Sequence, residues 1–161
     1  MTRTLPFPRS AIAVLVLVTS LAVAPAASAR SDAGARLQMT WPANGTVTAR
    51  FGEWRGSHRH NGIDIGMLRS PQLRSVLAGT VEETGYASGY EGYGNIVVLD
   101  LPGPYTALYA HLSSVRVHPG QHVRKGQRIG LAGCTGSCSG THLHFGVTWR
   151  GAPVDPLRFL R

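Results

Sequence analysis

The chain has 161 residues, of which 43% are hydrophobic, and its 16 Lys and Arg against 8 Asp and Glu give a formal net charge of +8. This length fits one compact domain that buries its own core, and we expect no second domain. The positive charge favours contact with anionic polymers such as cell-wall components, or with membrane surfaces.

The first 29 residues predict a secretory signal peptide. Arg3 and Arg9 give it a positive start, an apolar core follows, and Ala-Ser-Ala ending at Ala29 forms a small-residue cleavage site. A retained membrane anchor is the alternative, but Pro25 interrupts the apolar run, which is short for a spanning helix. We therefore expect a secreted, extracellular chain with no stable membrane anchor after cleavage.

Cleavage would leave 132 residues with a formal net charge of +6. Residues 30–40 are predicted to be a short linker and residues 41–161 a single domain, which we expect to be a monomer. Nucleic acid is the usual partner of a basic chain, but export argues against it.

Short alternating apolar runs, separated by Gly, Pro and Asn, predict an all-β domain, because no stretch of the mature chain repeats its apolar residues with the period of a helix. The predicted strands cover residues 45–51, 75–87, 95–101, 105–112, 127–133 and 142–149.

The stretch HNGID contains two candidate metal ligands, His60 and Asp64. In an extended chain their side chains would lie about 13 Å apart, so the stretch forms a metal site only if it bends. Asn61-Gly62 favours a bend because Gly accepts a positive φ and Asn tolerates one. Asp64 lies between isoleucines, where a cation would remove the cost of an unpaired carboxylate. A β-turn with a surface His60 and an Asp64 paired with an arginine is the alternative.

The stretch YTALYAHLS ends in His111. Strand alternation predicts that this histidine shares a face with Tyr105, Ala107 and Tyr109. A histidine that ends an apolar strand is commonly a hydrogen-bonded core or rim residue. His111 therefore becomes a catalytic candidate only through the residues that surround it.

Two cysteines, Cys134 and Cys138, enclose three residues just before the last predicted strand. Cysteines in an exported chain usually pair, and so short a loop fixes local geometry rather than adding much global stability. We predict a disulfide that fixes the turn into that strand. A cysteine nucleophile at Cys138, with His142 as its base, is the alternative and requires a free thiolate.

The last predicted strand carries His142 and His144 on one face and apolar residues on the other. Residues two apart in a strand have Cα atoms about 6.5 Å apart, a separation that two imidazoles can bridge to a shared metal or water. This pattern alone does not separate a metal site from structural histidines, and it does not select which histidine binds.

Four stretches, HNGID, GYGNIVVLD, YTALYAHLSSVRVHPGQHVRKGQRIGLAGCTGSCSGTHLHFGV and VDPLRFL, resemble in this order the lysostaphin-like (LytM-type) zinc metallopeptidases. These are secreted endopeptidases that cut peptide bonds of bacterial peptidoglycan. The resemblance covers about residues 41–160. It implies a β-rich domain of the duplicated hybrid motif type, whose antiparallel sheets form a groove.

By position, the resemblance implies one zinc ion bound by His60, Asp64 and His144. It also implies that His111 and His142 are the paired non-ligand histidines that act on the water or the transition state. Three protein ligands leave the fourth tetrahedral position to water, which is typical of catalytic rather than structural zinc.

The expected function is that of a secreted, cell-wall-associated zinc endopeptidase whose partner is bacterial peptidoglycan. Gly146 stands where the family often has Glu, and we expect a changed groove rather than loss of activity. A non-catalytic wall-binding or amidase-activating module of the same fold is the alternative. All three ligand positions are filled, which argues against that alternative.

Overall fold

The structure is a computed structural model that describes residues 37–161. The predicted signal peptide, residues 1–29, lies outside the described residues, as does most of the predicted linker. Within residues 37–161, every helix is too short or too polar to span a membrane.

The prediction of an all-β fold is confirmed: the described residues form eleven strands and a single turn of 3-10 helix. The strands are β1 Thr46–Ala49, β2 Ile63–Gly66, β3 Gln72–Arg74, β4 Gly79–Gly85, β5 Ile96–Leu101, β6 Tyr105–Ala110, β7 Leu112–Val115, β8 His122–Val123, β9 Arg128–Ala132, β10 Leu143–Trp149 and β11 Ala152–Val154, and the 3-10 turn is Pro156–Arg158.

The strands form two antiparallel sheets. The larger sheet has the order β1-β2-β10-β6-β5-β4-β8, with β11 paired to the end of β10. The smaller sheet has the order β3-β9-β7. The central strand β10 lies between β2 and β6, so residues far apart in sequence become neighbours around it.

Alternation along the strands of the larger sheet separates a core face from a groove face. In β10, Leu143 and Phe145 are fully buried in the main hydrophobic core, whereas His144 between them projects to the other face. In β2, Ile63 and Ile65 flank Asp64 in the same way. The core also contains residues of the smaller sheet, namely Leu73, Leu112 and Ile129.

The predicted face of His111 is wrong. Strand β6 ends at Ala110, and His111 adopts a left-handed φ of 64° that breaks the alternation. Tyr109 remains fully buried in the core, while His111 turns to the groove face. The reason is topological: the next residue, Leu112, begins β7 of the smaller sheet, so His111 is the residue at which the chain leaves one sheet for the other.

Candidate metal centre and catalytic groove

A cleft of about 810 Å³ opens on the groove face of the larger sheet. The structure brings all five predicted site residues to this cleft: His60, Asp64, His111, His142 and His144. Four of them are buried, and His142 is partly exposed. Histidines and a carboxylate gathered in one cleft are chemically suited to metal binding and proton transfer.

Strand register brings Asp64 and His144 together. The two residues are direct partners across the antiparallel pair β2–β10 and project from the same face. His144 Nδ1 lies 3.0 Å from Asp64 Oδ1. Because two adjacent central strands carry these side chains, their separation is fixed by the hydrogen-bond ladder rather than by a loop.

A hairpin over residues 51–60 delivers His60 to the same point. Backbone hydrogen bonds pair His60 with Gly52 and Glu53, each at 2.8 Å. His60 Nδ1 lies 2.9 Å from the carbonyl oxygen of Arg50, which can only accept a hydrogen bond. The Nδ1 nitrogen therefore carries the proton, and His60 Nε2 presents a lone pair to the cleft.

Three donor atoms form a nearly equilateral triangle. His60 Nε2 lies 3.0 Å from His144 Nδ1 and 3.2 Å from Asp64 Oδ1, and the third side, His144 Nδ1 to Asp64 Oδ1, is 3.0 Å. Ligand bonds of about 2.0–2.1 Å in tetrahedral geometry would place such atoms about 3.3–3.4 Å apart. The triangle is a few tenths of an ångström tighter, so these residues fit a tetrahedral zinc ion and leave one coordination position for another ligand.

Arg55, from the same hairpin, holds the other oxygen of Asp64. Its Nη2 donates to Asp64 Oδ2 at 2.6 Å. Burial opposes ionisation of Asp64, but hydrogen bonds from His144 and Arg55 outweigh it and hold the pKa of this carboxyl well below its usual range. Asp64 is therefore a carboxylate with one oxygen committed to Arg55 and one directed at the histidines. The sequence left two alternatives for Asp64, pairing with an arginine or a place among metal ligands. The structure accommodates both, because Arg55 pairs with one oxygen of Asp64 and the other oxygen faces the histidines.

Gly62 makes room for the candidate ligand His144. The chain bends at Asn61-Gly62 as predicted, but neither residue has a positive φ, so the left-handed conformation expected there is absent. A Cβ at Gly62 would instead lie 2.5 Å from the Phe145 carbonyl oxygen and 2.9 Å from His144 Nε2. The glycine is thus explained by the close approach of the chain to β10.

Burial lowers the pKa of His144, which keeps the ring neutral at pH 7, and its Nε2 has no hydrogen-bond partner among residues 37–161.

The two remaining histidines face each other at the side of the triangle. Their ring centroids are 4.8 Å apart. His111 Nδ1 lies 2.8 Å from the Thr135 carbonyl oxygen, and His142 Nδ1 lies 2.7 Å from the Gly140 carbonyl oxygen. Because a carbonyl oxygen only accepts, both rings in their neutral form carry the proton on Nδ1 and a lone pair on Nε2. His142 Nε2 is directed at the candidate metal site, 3.9 Å from Asp64 Oδ1.

Burial dominates the ionisation of His111. Burial lowers its pKa below the ordinary 6.5, and this effect exceeds the opposing hydrogen bond to Thr135. The imidazole is therefore uncharged at pH 7 and able to accept a proton. With the lone pair of His111 Nε2 in the cleft that holds the candidate metal position, the groove is chemically suited to general acid–base chemistry.

The structure joins Cys134 and Cys138 in a disulfide. No cysteine of the described residues is free. The alternative of a cysteine nucleophile needs a thiolate at Cys138, so the disulfide excludes it. Cys138 instead forms part of the groove wall.

Sequence reasoning missed several groove residues, because they act through contacts that only the fold creates. Arg55 reaches Asp64 through the hairpin, and Tyr93 packs its ring 5.2 Å from that of His144 while accepting a hydrogen bond from Asn61. Thr135 contacts His111 through its backbone, which no residue type can signal. Other histidines, His58, His118 and His122, are exposed, as expected, although His58 lines the groove.

Comparison with known protein families identifies the family of this chain. The model of peptidase family M23 matches residues 58–156, a span that contains every one of the five site residues. The chain belongs to peptidase family M23. The resemblance to lysostaphin-like peptidases inferred from the sequence is thereby confirmed.

Relatives of this M23 chain include the murein hydrolase activator NlpD of Salmonella dublin, 35% identical over an alignment that covers 84% of this chain and 35% of that protein. The chain therefore spans about a third of the length of this curated relative. Among solved structures, a zinc containing peptidase from Vibrio cholerae is 31% identical with a TM-score of 0.63, covering 73% of this chain and 37% of that one. The antimicrobial peptidase lysostaphin from Staphylococcus simulans is 28% identical with a TM-score of 0.66, covering 77% and 52%.

Proposed function

We propose that this M23 chain is a secreted zinc-dependent endopeptidase that hydrolyses peptide bonds of bacterial peptidoglycan, either in cross-links or in stem peptides. The observation that carries the proposal is the triangle of His60 Nε2, Asp64 Oδ1 and His144 Nδ1, with sides of 3.0–3.2 Å, beside two further histidines. A non-catalytic module has no need of this complete set.

His60, Asp64 and His144 would hold the zinc ion through those three atoms. When bound, zinc lowers the pKa of a coordinated water towards 7 and polarises a carbonyl oxygen. Arg55 keeps Asp64 turned so that Oδ1 alone faces the site. The His60 tautomer is fixed by its hydrogen bond to the Arg50 carbonyl, which keeps Nε2 available as a ligand atom.

His111 and His142 are the proposed acid–base pair. Their Nδ1–H groups are donated to backbone carbonyls, so their Nε2 atoms can accept a proton from the attacking water and return it to the leaving amine. The protonated form of either ring can also donate a hydrogen bond to the oxygen that gains negative charge in the transition state. Two carboxylates of the described residues line the groove, and neither is the proposed base: Asp64 is a proposed zinc ligand, and Glu91 is exposed and accepts a hydrogen bond from the Gly89 backbone N–H in its own loop.

Peptidoglycan is the proposed substrate on two grounds. The relative from Salmonella dublin is named for an action on murein hydrolases, and lysostaphin is named an antimicrobial peptidase. The formal net charge of +6 that remains after signal cleavage suits an anionic wall polymer. Export by a cleaved signal peptide, action at the cell wall and a monomeric state belong to the same proposal.

The test is digestion of purified cell walls, with released fragments identified by mass spectrometry. Wild-type protein should release peptide fragments, lose this activity with a chelator and regain it when zinc is added. His144→Ala should bind less than one zinc per chain and release nothing. Undiminished activity of His144→Ala would rule the proposal out.

A second candidate function is activation of another murein hydrolase without hydrolysis by this chain. The name of the Salmonella dublin relative, a murein hydrolase activator, favours it. Substitution of one histidine of the pair distinguishes the two candidate functions, because an activator needs the surface of the domain but not its proton-transfer groups. If His142→Ala stimulates a wall amidase as wild type does, and wild type alone releases no fragments, the activator function is the right one.

A further inference from the structure

One irregular segment, residues 133–142 between β9 and β10, orients both non-ligand histidines. His111 donates its Nδ1–H to the Thr135 carbonyl at 2.8 Å, and His142 donates its own to the Gly140 carbonyl at 2.7 Å. The tautomer and ring orientation of each histidine therefore depend on where this segment places two carbonyl oxygens.

The Thr135 side chain fixes the first of these carbonyls. Its hydroxyl accepts a hydrogen bond from the Asn95 backbone N–H and donates one to the Leu112 carbonyl, each at 2.9 Å. Leu112 directly follows His111, so the hydroxyl ties Thr135 to the backbone that carries the histidine. Gly136 allows this close packing, because a Cβ there would lie 2.4 Å from the Gly94 nitrogen.

The disulfide closes a short loop inside the orienting segment. Cys134 and Cys138 close the chain around Thr135. Cys138 Sγ lies 3.0 Å from the Gly140 carbonyl oxygen and 3.7 Å from His142 Nδ1. A disulfide sulfur carries no hydrogen, so these are packing contacts, and the sulfur touches both atoms of the hydrogen bond that orients His142.

The metal triangle is held by other parts of the fold. Asp64 and His144 belong to paired strands, and His60 belongs to the hairpin over residues 51–60. No atom of Thr135, Cys134 or Cys138 is a ligand in the triangle. A change in the segment can therefore alter the histidine pair while the metal site stays intact.

We propose that Thr135 and the Cys134–Cys138 disulfide are positioning residues for His111 and His142, so that hydrolysis requires the oxidised segment while metal binding does not. This inference rests on the proposed function. It makes activity conditional on an oxidising compartment: reduced in the cytosol, the chain would have its metal ligands in place but its proton-transfer pair misaligned.

Reduction can be carried out without disturbing zinc. Thiols bind zinc, so a water-soluble trialkylphosphine is the reductant of choice. Its phosphorus attacks one sulfur and breaks the S–S bond; water then supplies the oxygen of the phosphine oxide and the protons of the two thiols. The product carries free Cys134 and Cys138, which an oxidant such as oxidised glutathione can rejoin.

The experiment compares zinc-loaded wild-type protein before reduction, after it and after reoxidation, using a soluble digest of peptidoglycan as substrate. Zinc content, kcat, KM and the urea unfolding midpoint are measured on each sample. We expect kcat to fall by about 10- to 100-fold on reduction, as for other residues that orient catalytic groups, with KM and zinc content unchanged. Reoxidation should restore kcat.

Substitution of Thr135 gives a matched pair that needs no reductant. Thr135→Val keeps the shape but removes the hydroxyl, and it should lower kcat at unchanged zinc content. Thr135→Ser keeps the hydroxyl, and it should retain most of kcat.

Full kcat in both the reduced protein and Thr135→Val would overturn the inference. So would a loss of zinc in parallel with activity, which would make the segment a general structural support. Failure of the proposed function gives a different result: oxidised, zinc-loaded wild type would release no peptide at all.

Discussion

Gly62→Ala is the substitution for which the structure gives the most defined consequence. The added Cβ would lie 2.5 Å from the Phe145 carbonyl oxygen and 2.9 Å from both Nε2 and Cε1 of His144. Ordinary contact begins at 3.4 Å, so the segment before β2 has to move away from β10 by about 0.9 Å. Asp64, two residues on, would move with it.

That displacement is large for a site of this size. The sides of the donor triangle are 3.0–3.2 Å, and productive metal and catalytic sites tolerate displacements of about 0.5 Å. Overpacking of a buried site also costs about 1–3 kcal/mol in the free energy of unfolding. We expect Gly62→Ala to lower the urea midpoint accordingly and to weaken zinc binding by at least about tenfold, as losses of ligand orientation do.

Gly146→Ala is the matched control. It lies on the groove face of β10, two residues from His144, and a Cβ there would meet the Leu108 side chain at an ordinary 3.6 Å. Urea unfolding and competition of a zinc-binding dye measure both variants. Wild-type stability and zinc affinity in Gly62→Ala, or equal damage in Gly146→Ala, would refute the argument from close approach.

Three further predictions concern the charged and titrating groups of the groove. His111→Asn should retain zinc but lose about 10²- to 10⁴-fold in kcat on peptidoglycan fragments. The control, His118→Asn, changes an exposed histidine and should match wild type. A kcat of His111→Asn equal to that of wild type would show that His111 has no acid–base role. Acid should destabilise the metal-free protein in two windows of urea unfolding measured against pH. The pKa of His144 is lower in the folded than in the unfolded state, so the free energy of unfolding falls as the pH drops below 6.5. The lowered pKa of Asp64 adds a further loss of stability below pH 3.8. A free energy of unfolding that stays constant from pH 7.5 to 3 would contradict both shifts. Arg55→Met removes a hydrogen-bond donor to the Asp64 carboxylate and should therefore raise the pKa of that carboxyl. NMR titration of the metal-free protein measures this pKa. An unchanged pKa would show that the Arg55–Asp64 ion pair is absent in solution.

The long strands of the larger sheet are predictable from the sequence because alternation is visible over six or seven residues. The predicted strands at 95–101, 105–112 and 142–149 match β5, β6 and β10 to within two residues. The sequence does not predict strand β2, because it has only four residues and the Ile-Asp-Ile alternation is too short to identify a strand. Its partner in register, β10, determines that it is a strand at all.

Residue types in the candidate site are predictable, but their supporting contacts are not. HNGID and HLH indicate candidate metal ligands, but only the resemblance to the family selects His144 over His142. The fold places the donor atoms of His60, Asp64 and His144 together. Which atoms of Asp64 and Thr135 contact which partners depends on a hairpin and a disulfide-closed segment that bring distant residues within 3 Å. His111 illustrates the limit most clearly, since a single left-handed residue moved it to the face opposite the one predicted by alternation.

Binding of one zinc ion by His60, Asp64 and His144, with one coordination position left open, can be observed directly. The measurement is anomalous diffraction at the zinc edge from crystals of zinc-loaded protein. We predict a single peak about 2.0–2.1 Å from His60 Nε2, Asp64 Oδ1 and His144 Nδ1, with a water or substrate atom as the fourth ligand. No peak at this position, or a zinc ion closed off by a fourth protein ligand, would contradict it.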